Sequence, residues 1–366
     1  MKRLFSFFCF LLTASFCFAQ GNRVRFKSEL LLRFERQQFP DNREDVDRYR
    51  LRWRPGLLFQ LHPSLEAGVE AEINWIDESD EDTPLPGFTS PQFHTPLFDR
   101  DNFKRDAIVL SKAFVKFAPS PRLEILGGKF ENPFLVSELL WDRDLRPNGG
   151  TVSVSYESAN GSFLLTGRAG DFYATHYLHD RTNVIAVQGM FQATAGISRW
   201  TVALSYYDHD TNELDPALLR GNTRTVALLL NDYNLLDLIG RFRLNLKIPV
   251  TAQIDFVTNR SADVFTPGLA GNGDQGYLLE FFIGQLQSRG NFRIAYGRHR
   301  VESDAVLAAY NTDDWWFPTR GEGYRITGAV MLLQSMSIHV SYLNQTLIDQ
   351  SAEFKRLQIS AEFNWP

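Results

Sequence analysis

Apolar and polar residues alternate with a period of two over most of the chain. Leu65, Ala67, Val69, Ala71, Ile73 and Trp75 fall between Glu66, Gly68, Glu70, Glu72 and Asn74. Tyr324, Ile326, Gly328, Val330 and Leu332 alternate with Arg325 and Thr327, and Leu357, Ile359, Ala361, Phe363 and Trp365 with Gln358, Ser360, Glu362 and Asn364. A β-strand sends successive side chains to opposite faces, so each run predicts a strand with one apolar and one polar face. A soluble sandwich would show the same alternation, but in strands of about five or six residues. Here many runs reach about ten to twelve, the length a tilted strand needs to cross lipid.

The connections between the runs come in two kinds. Short links fall at His62-Pro63-Ser64, Pro119-Ser120-Pro121, Ser158-Ala159-Asn160, Gly196-Ile197, Lys247-Ile248-Pro249, Ser288-Arg289-Gly290 and Gln334-Ser335. Between them lie longer polar links at 37–46, 77–105, 131–149, 173–182, 208–232, 260–274, 301–322 and 347–353. Short and long alternate throughout, as in a transmembrane antiparallel β-barrel with tight periplasmic turns and long outer loops. Counting runs gives about 16 strands, with 14 to 18 as the range, and the least marked segments are 150–157 and 220–237. Apolar residues should face lipid and polar ones a water-filled lumen.

The beginning of the chain gives the compartment. Met1-Lys2-Arg3 is basic, Leu4 to Phe18 is apolar apart from Ser6, Thr13 and Ser15, and Cys17-Phe18-Ala19 places small residues before a cut. This is the pattern of a secretory signal peptide over residues 1–19, leaving a barrel over 20–366. Phe16 rather than a small residue precedes Cys17, which argues against lipidation. Both cysteines, Cys9 and Cys17, lie in the leader, so disulfides play no part afterwards. Losing Lys2 and Arg3 lowers the bases from 38 to 36 against 43 acids, and an acidic chain of this kind excludes nucleic acid as a partner. No later stretch of about 18 apolar residues predicts a membrane helix. A mean hydropathy of −0.24 with 13% aromatic residues fits a barrel, in which only alternate residues meet lipid and aromatic girdles mark its interfaces.

Residues 127–134 read Gly127-Gly128-Lys129-Phe130-Glu131-Asn132-Pro133-Phe134, and 139–149 read Leu139-Leu140-Trp141-Asp142-Arg143-Asp144-Leu145-Arg146-Pro147-Asn148-Gly149. This stretch resembles the putative porin family of bacterial outer-membrane barrels, in which a G-K-x-x-N-P-F segment precedes an L-W-D-x-D-x-x-P-x-G segment. The resemblance implies a diffusion pore that performs no reaction and needs no cofactor. The chain departs from the pattern at its two arginines and at its end. Arg143 and Arg146 stand where small or acidic residues are expected, and Pro366 follows Trp365 where such barrels end on the aromatic residue.

Candidate pore-lining residues follow from parity. Arg25, Lys27 and Arg33 share a polar face with Glu29 and Glu35, and Arg48, Arg50, Arg52 and Arg54 alternate with Tyr49, Leu51 and Trp53. Charges facing lipid cost about 2–4 kcal/mol each near the midplane, so these side chains should face the lumen. Pairing through the turn at Pro63 sets Arg54 opposite Glu72 and the next cationic steps opposite Asp77, beside Glu66 and Glu70. Two readings stay open: an ion-sorting wall, or adjacent ladders that neutralise each other. The third long link, 131–149, is a candidate constriction loop by analogy with general porins. Its polar residues are Glu131, Asn132, Glu138, Asp142, Arg143, Asp144 and Arg146, with Phe134 and Trp141 as anchors. The alternative is a surface loop that never enters the lumen.

Other constellations are weaker. Asp77, Glu78, Asp80, Glu81 and Asp82 lack the spacing of a calcium loop, and His176 and His179 lack further ligands, so no metal site is expected. A barrel hydrolase is the rival function. His339 and Ser341 have a phospholipase-like spacing but should face the lumen, away from lipid, and Asp208-His209-Asp210 lacks a second acidic pair. A surface-adhesion barrel with a blocked lumen is the other alternative. Trp53, Trp75, Trp315, Trp316, Phe363 and Trp365 suit interface girdles, while Trp141, Trp315 and Trp316 could instead form a sugar-stacking slide. The expected partners are membrane lipid, outer-leaflet lipopolysaccharide, small hydrophilic solutes and the barrel-insertion machinery. A homotrimer is possible, with Ser111, Gly127 and Gly240 as less apolar outward positions.

Overall fold

The computed structural model describes residues 23–39, 45–78, 108–173, 183–211, 221–224, 229–263, 273–312, 314–348 and 353–365. The strands in chain order are β1 (Val24–Gln38), β2 (Val46–His62), β3 (Leu65–Glu78), β4 (Ile108–Ser120), β5 (Leu123–Lys129), β6 (Asn148–Glu157), β7 (Phe163–Tyr173) and β8 (Asn183–Ala195). They continue as β9 (Ser198–His209), β10 (Tyr233–Leu244), β11 (Val250–Asn259), β12 (Gln275–Gly284), β13 (Phe292–Val301), β14 (Gly321–Leu333), β15 (Met336–Leu347) and β16 (Glu353–Trp365). Each pairs antiparallel with its chain neighbours, and β1 pairs with β16 from Ser28↔Trp365 to Gln38↔Lys355, closing a 16-stranded barrel. Closure satisfies every ladder and removes the edges that lipid could not hydrate.

The two rims differ as expected. Tight links such as Pro63-Ser64 and Gly196-Ile197 gather at one, and the long links at the other, called the outer rim below. Gly196 takes a φ of +58, the left-handed geometry that a two-residue hairpin needs and that a side chain disfavours. The segment 150–157 belongs to β6. Among the described residues of 220–237, the strand begins at Tyr233, and an isolated bridge joins Arg224 to Leu229 before it.

Outward faces carry the apolar set. Ile185, Val187 and Phe191 on β8 and Val202, Leu204 and Tyr206 on β9 are all exposed. At mid-barrel each such side chain contributes about 1.5–3 kcal/mol when it moves from water into lipid. One expected outward position is corrected. Ser111 is the extra residue of a β-bulge, because Glu70 pairs with Lys112 and Ala71 with Leu110. The bulge turns Ser111 inward, where its hydroxyl donates to Glu70 at 2.8 Å. Gly127 and Gly240 keep the outward parity.

The expectation of a uniformly polar lumen is also corrected. Toward the outer rim, inward positions include Phe172, Val184, Ala186, Tyr207, Leu235, Val257 and Leu278, and all are buried. They form one hydrophobic cluster with residues of two long links, among them Leu139, Leu140, Trp141, Val306, Leu307, Tyr310 and Phe317. Those strands are apolar on both faces. The barrel therefore holds an apolar core in its outer half and keeps its polar space in the inner half.

Candidate functional site: the lumen and its inward loops

The third long link runs from residue 130 to 147 and crosses the barrel. Leu135 exchanges two hydrogen bonds with Gln188 of β8, at 2.9 and 2.8 Å. Ser137 donates to Asp255 of β11, and Glu138 accepts from Arg325 of β14. Farther along, Asp144 reaches β2 on the opposite wall, accepting from Arg52 at 2.8 Å and Arg54 at 3.0 Å. Apolar anchors hold the crossing. Phe134 packs against Phe172 and Tyr207, with ring centres 6.1 and 6.0 Å apart. Trp141 packs against Phe172 at 5.7 Å and Tyr310 at 5.6 Å. The link is thus an inward loop, not a surface one.

Its other polar residues have local tasks. Asn132 caps the Phe134 amide at 3.0 Å, and buried Asp142 accepts from the Asp144 amide at 2.8 Å. Glu131 meets Lys112 at 2.8 Å, Arg143 meets Glu138 at 2.7 Å, and Arg146 donates to the Arg143 carbonyl. Burial pushes the Asp144 and Glu138 carboxyls up, but the guanidiniums of Arg52 and Arg54, and of Arg325 and Arg143, outweigh it and hold both below the ordinary carboxylate range.

A second link, 302–320, enters as well. Asp304 accepts from the Tyr233 hydroxyl at 2.6 Å, Phe317 donates its amide to Gln345 at 2.8 Å, and Asp314 lies 3.4 Å from Arg33. The two loops bind each other through Asp142 N to Tyr310 O at 2.7 Å. This fold of the chain buries Trp315 and Trp316, which were expected at a membrane girdle. Trp315 lies against His299 and under the Arg325 guanidinium, and Trp316 stacks on Phe354. With Trp141 also buried, none of the three offers an open stacking face. Trp75 does face outward and Phe363 stacks on Trp365 at 5.8 Å, as a girdle would have it.

The cationic ladder on β2 points inward and is nearly covered: Arg48, Arg50, Arg52 and Arg54 are 0, 8, 7 and 3% exposed. Arg54 sits opposite Glu72 and binds it, as the turn at Pro63 predicted. Arg52 binds Glu29 at 2.6 Å, and Arg50 lies 3.3 Å from Glu35. Asp77 falls opposite Tyr49 in the register, and Glu78 takes the place opposite Arg48. Lower down, Glu66 pairs with Arg25 at 2.8 Å and Lys116 at 3.2 Å, and Glu70 with Lys112 at 2.8 Å. Between the two open readings of the ladder, these pairings favour mutual neutralisation.

The open space lies elsewhere. A cavity of about 680 Å³ is lined by Arg33, Glu138, Arg143 and Asp314, together with inward residues from β8 to β16. A smaller one of about 240 Å³ is lined by Lys27, Glu66, Glu70, Lys112, Phe130 and Glu131. Sequence reasoning missed Arg199, Arg241, Arg243 and Arg293 on the wall of the larger cavity. Their signal was the same parity: Arg241 and Arg243 alternate with Phe242 and Leu244.

The rival constellations disperse. His339 and Ser341 share the inward face as expected, but His339 meets Ser337 at 2.9 Å and Glu362 at 3.4 Å while Ser341 accepts from Thr327 at 3.1 Å. His209 is buried beside Tyr310, and Asp208 lies on the opposite face. His176 and His179, residues 79–82 of the acidic run and the leader lie outside the described residues.

A closed 16-stranded barrel with inward outer loops and a charged lumen defines the class of the outer-membrane porins. The chain matches the family described as "Putative porin" over residues 20–213 and belongs to it. Solved porins share the architecture. OprB of Pseudomonas putida in its high-pH form aligns with a TM-score of 0.61 and 11% identity over 94% of each chain. OmpF of Salmonella typhi in complex with daunomycin aligns at 0.54 and 12% identity, covering 94% of this chain and 98% of that one. OccAB4 of Acinetobacter baumannii aligns at 0.51 and 11%, covering 94% and 99%. At such identities the likeness is one of fold. No curated protein matches the chain.

Proposed function

We propose that this porin lets small hydrophilic solutes diffuse across the outer membrane, without a reaction, past a constriction made by the 130–147 loop. The observation that carries this reading is the loop's path from Gln188 and Asp255 on one wall to Arg52 and Arg54 on the other, directly above a polar cavity of about 680 Å³. Glu138 and Arg143 stand on both the loop and the cavity wall, so a passing solute meets them. In a water-poor passage such fixed charges act more strongly than in bulk solvent. The buried ladder Arg48–Arg54 then serves chiefly as the loop's anchor, and Arg33 among the expected lining residues meets the solute. The exported chain loses residues 1–19 and takes its place among lipid and lipopolysaccharide through the apolar outer face.

Conductance of the refolded protein in a planar bilayer tests the proposal. Discrete current steps, enlarged when residues 135–145 are deleted, are the expected result. Silence from a barrel shown to be folded would overturn it and favour the blocked-lumen adhesion reading, which the apolar packing of both loops would suit.

A further inference from the structure

The walls of the larger cavity differ in how their charges are answered. On the β1, β14 and loop side each cation has a carboxylate: Arg33 with Asp314, and Arg143 and Arg325 with Glu138. On the β9–β10 side none does among the described residues. Arg241 donates from Nε to the Gln253 amide oxygen at 2.7 Å. Arg243 donates to Asn245 and to Gln285, both at 2.8 Å and both neutral amides. Arg199 makes no side-chain hydrogen bond among the described residues, and it stands directly opposite Arg243 in the strand register.

Like charges placed opposite each other on one sheet face oppose folding. Here the two guanidiniums are cross-strand partners, and Arg241 is two residues away on the same face. The remaining neighbours, Thr201 opposite Arg241 and Thr251 opposite Arg243, add hydroxyls but no charge. Gln253 separates Arg241 from Glu280, accepting from the first and donating to the second at 3.1 Å. Fixing Nε on an amide orients the Arg241 and Arg243 guanidiniums and leaves Nη donors for another acceptor. Planar forks of this kind match the oxygens of phosphate and carboxylate groups. The whole chain is acidic, with a net charge of −5, yet this wall is cationic.

We propose that Arg199, Arg241 and Arg243 form a binding site for the dianionic oxyanion group of a small solute, a phosphate monoester or its like. Arg293 across the same cavity adds to the attraction, and the site gives the pore a preference for anions. The inference deepens the porin reading and rests on it for the route by which the solute arrives. The site itself is open to separate test.

Inorganic phosphate is the probe, titrated calorimetrically into the refolded protein in detergent and added to one side of a planar bilayer carrying chloride current. Saturable binding that weakens with salt is expected, together with block of the chloride current. Each Arg→Gln change at 199, 241 or 243 should weaken binding about tenfold, since a charge-assisted hydrogen bond is lost. The triple variant should lose block and shift the reversal potential toward cations, and R289Q in a short link should change nothing. R199Q alone keeps the test if the triple variant does not fold, because that exposed side chain has no internal bond to lose. Absence of saturable phosphate binding to folded protein, or equal binding by R199Q, overturns the site. Phosphate binding by a barrel that passes no current would instead overturn the pore reading and leave the site standing.

Discussion

Asp144→Asn is the perturbation that most directly tests how the loop is held. Its carboxylate spans Arg52 and Arg54 at 2.8 and 3.0 Å and is the loop's ionic bond to β2. Removing one partner of a buried ion pair costs about 3–5 kcal/mol. Two features reduce that here. Arg52 keeps Glu29 and Arg54 keeps Glu72, and the Asp144 side chain is 26% exposed, so water screens part of the interaction. A loss of about 2 kcal/mol in docking is left, roughly 30-fold in the docking equilibrium. Trypsin reads it out at Arg143, since the Arg146–Pro147 bond resists the enzyme. When opening is fast relative to cleavage, the rate follows the undocked population, so cleavage there should accelerate about 30-fold. The sign of the pH effect is fixed by the depressed folded-state value of Asp144. Its contribution is fully present above the unfolded pKa of about 3.9 and is lost as pH falls through the folded value. Wild-type cleavage by an acid-tolerant protease should therefore stay slow down to about pH 4 and rise below it, toward the variant. A variant cleaved within about twofold of wild type at neutral pH would refute the anchoring argument.

Trp141→Ala should lower the stability of the docked loop by about 3–5 kcal/mol, measured by the same proteolysis and by urea titration of the folded barrel. Val187→Arg, on the outward face of β8, should cost about 2–4 kcal/mol in vesicles, while Val187→Leu at the same site should leave the urea midpoint nearly unchanged. Glu138→Gln should free Arg143 and Arg325 from their shared carboxylate and move the reversal potential toward anions. Because Glu138 also titrates below its ordinary range, the wild-type potential should move the same way only at pH below about 4.

The barrel was legible because its physics is periodic. Lipid demands an apolar residue at every second position, and the alternation of short and long links follows from strands that go up and down. The Arg54–Glu72 pair followed from counting residues back from the turn at Pro63. What escaped was whatever breaks the period or depends on distance in three dimensions. The bulge at Ser111 shifts parity by one residue without any local signal in Val109-Leu110-Ser111-Lys112. The inward turn of 302–320 depends on contacts with Tyr233, Arg33 and Gln345, far away in the chain, so Trp315 and Trp316 read as girdle residues. Arg199 and Arg243 lie 44 positions apart, and only the β9–β10 register makes them neighbours.

The two-faced strands near the outer rim bear on the journey the chain makes before it is a barrel. Segments such as Val184-Ile185-Ala186-Val187 present apolar side chains on both sides, so unpaired they have no face that water favours. Short β-prone stretches without charge are those that associate with their own kind when exposed. Before the barrel closes, such segments must be kept from one another. The loops that later cover its inner face come from 130–147 and 302–320, and the second is synthesised well after the strands it shields. The shield over the inner face is therefore incomplete until the chain beyond β13 is present.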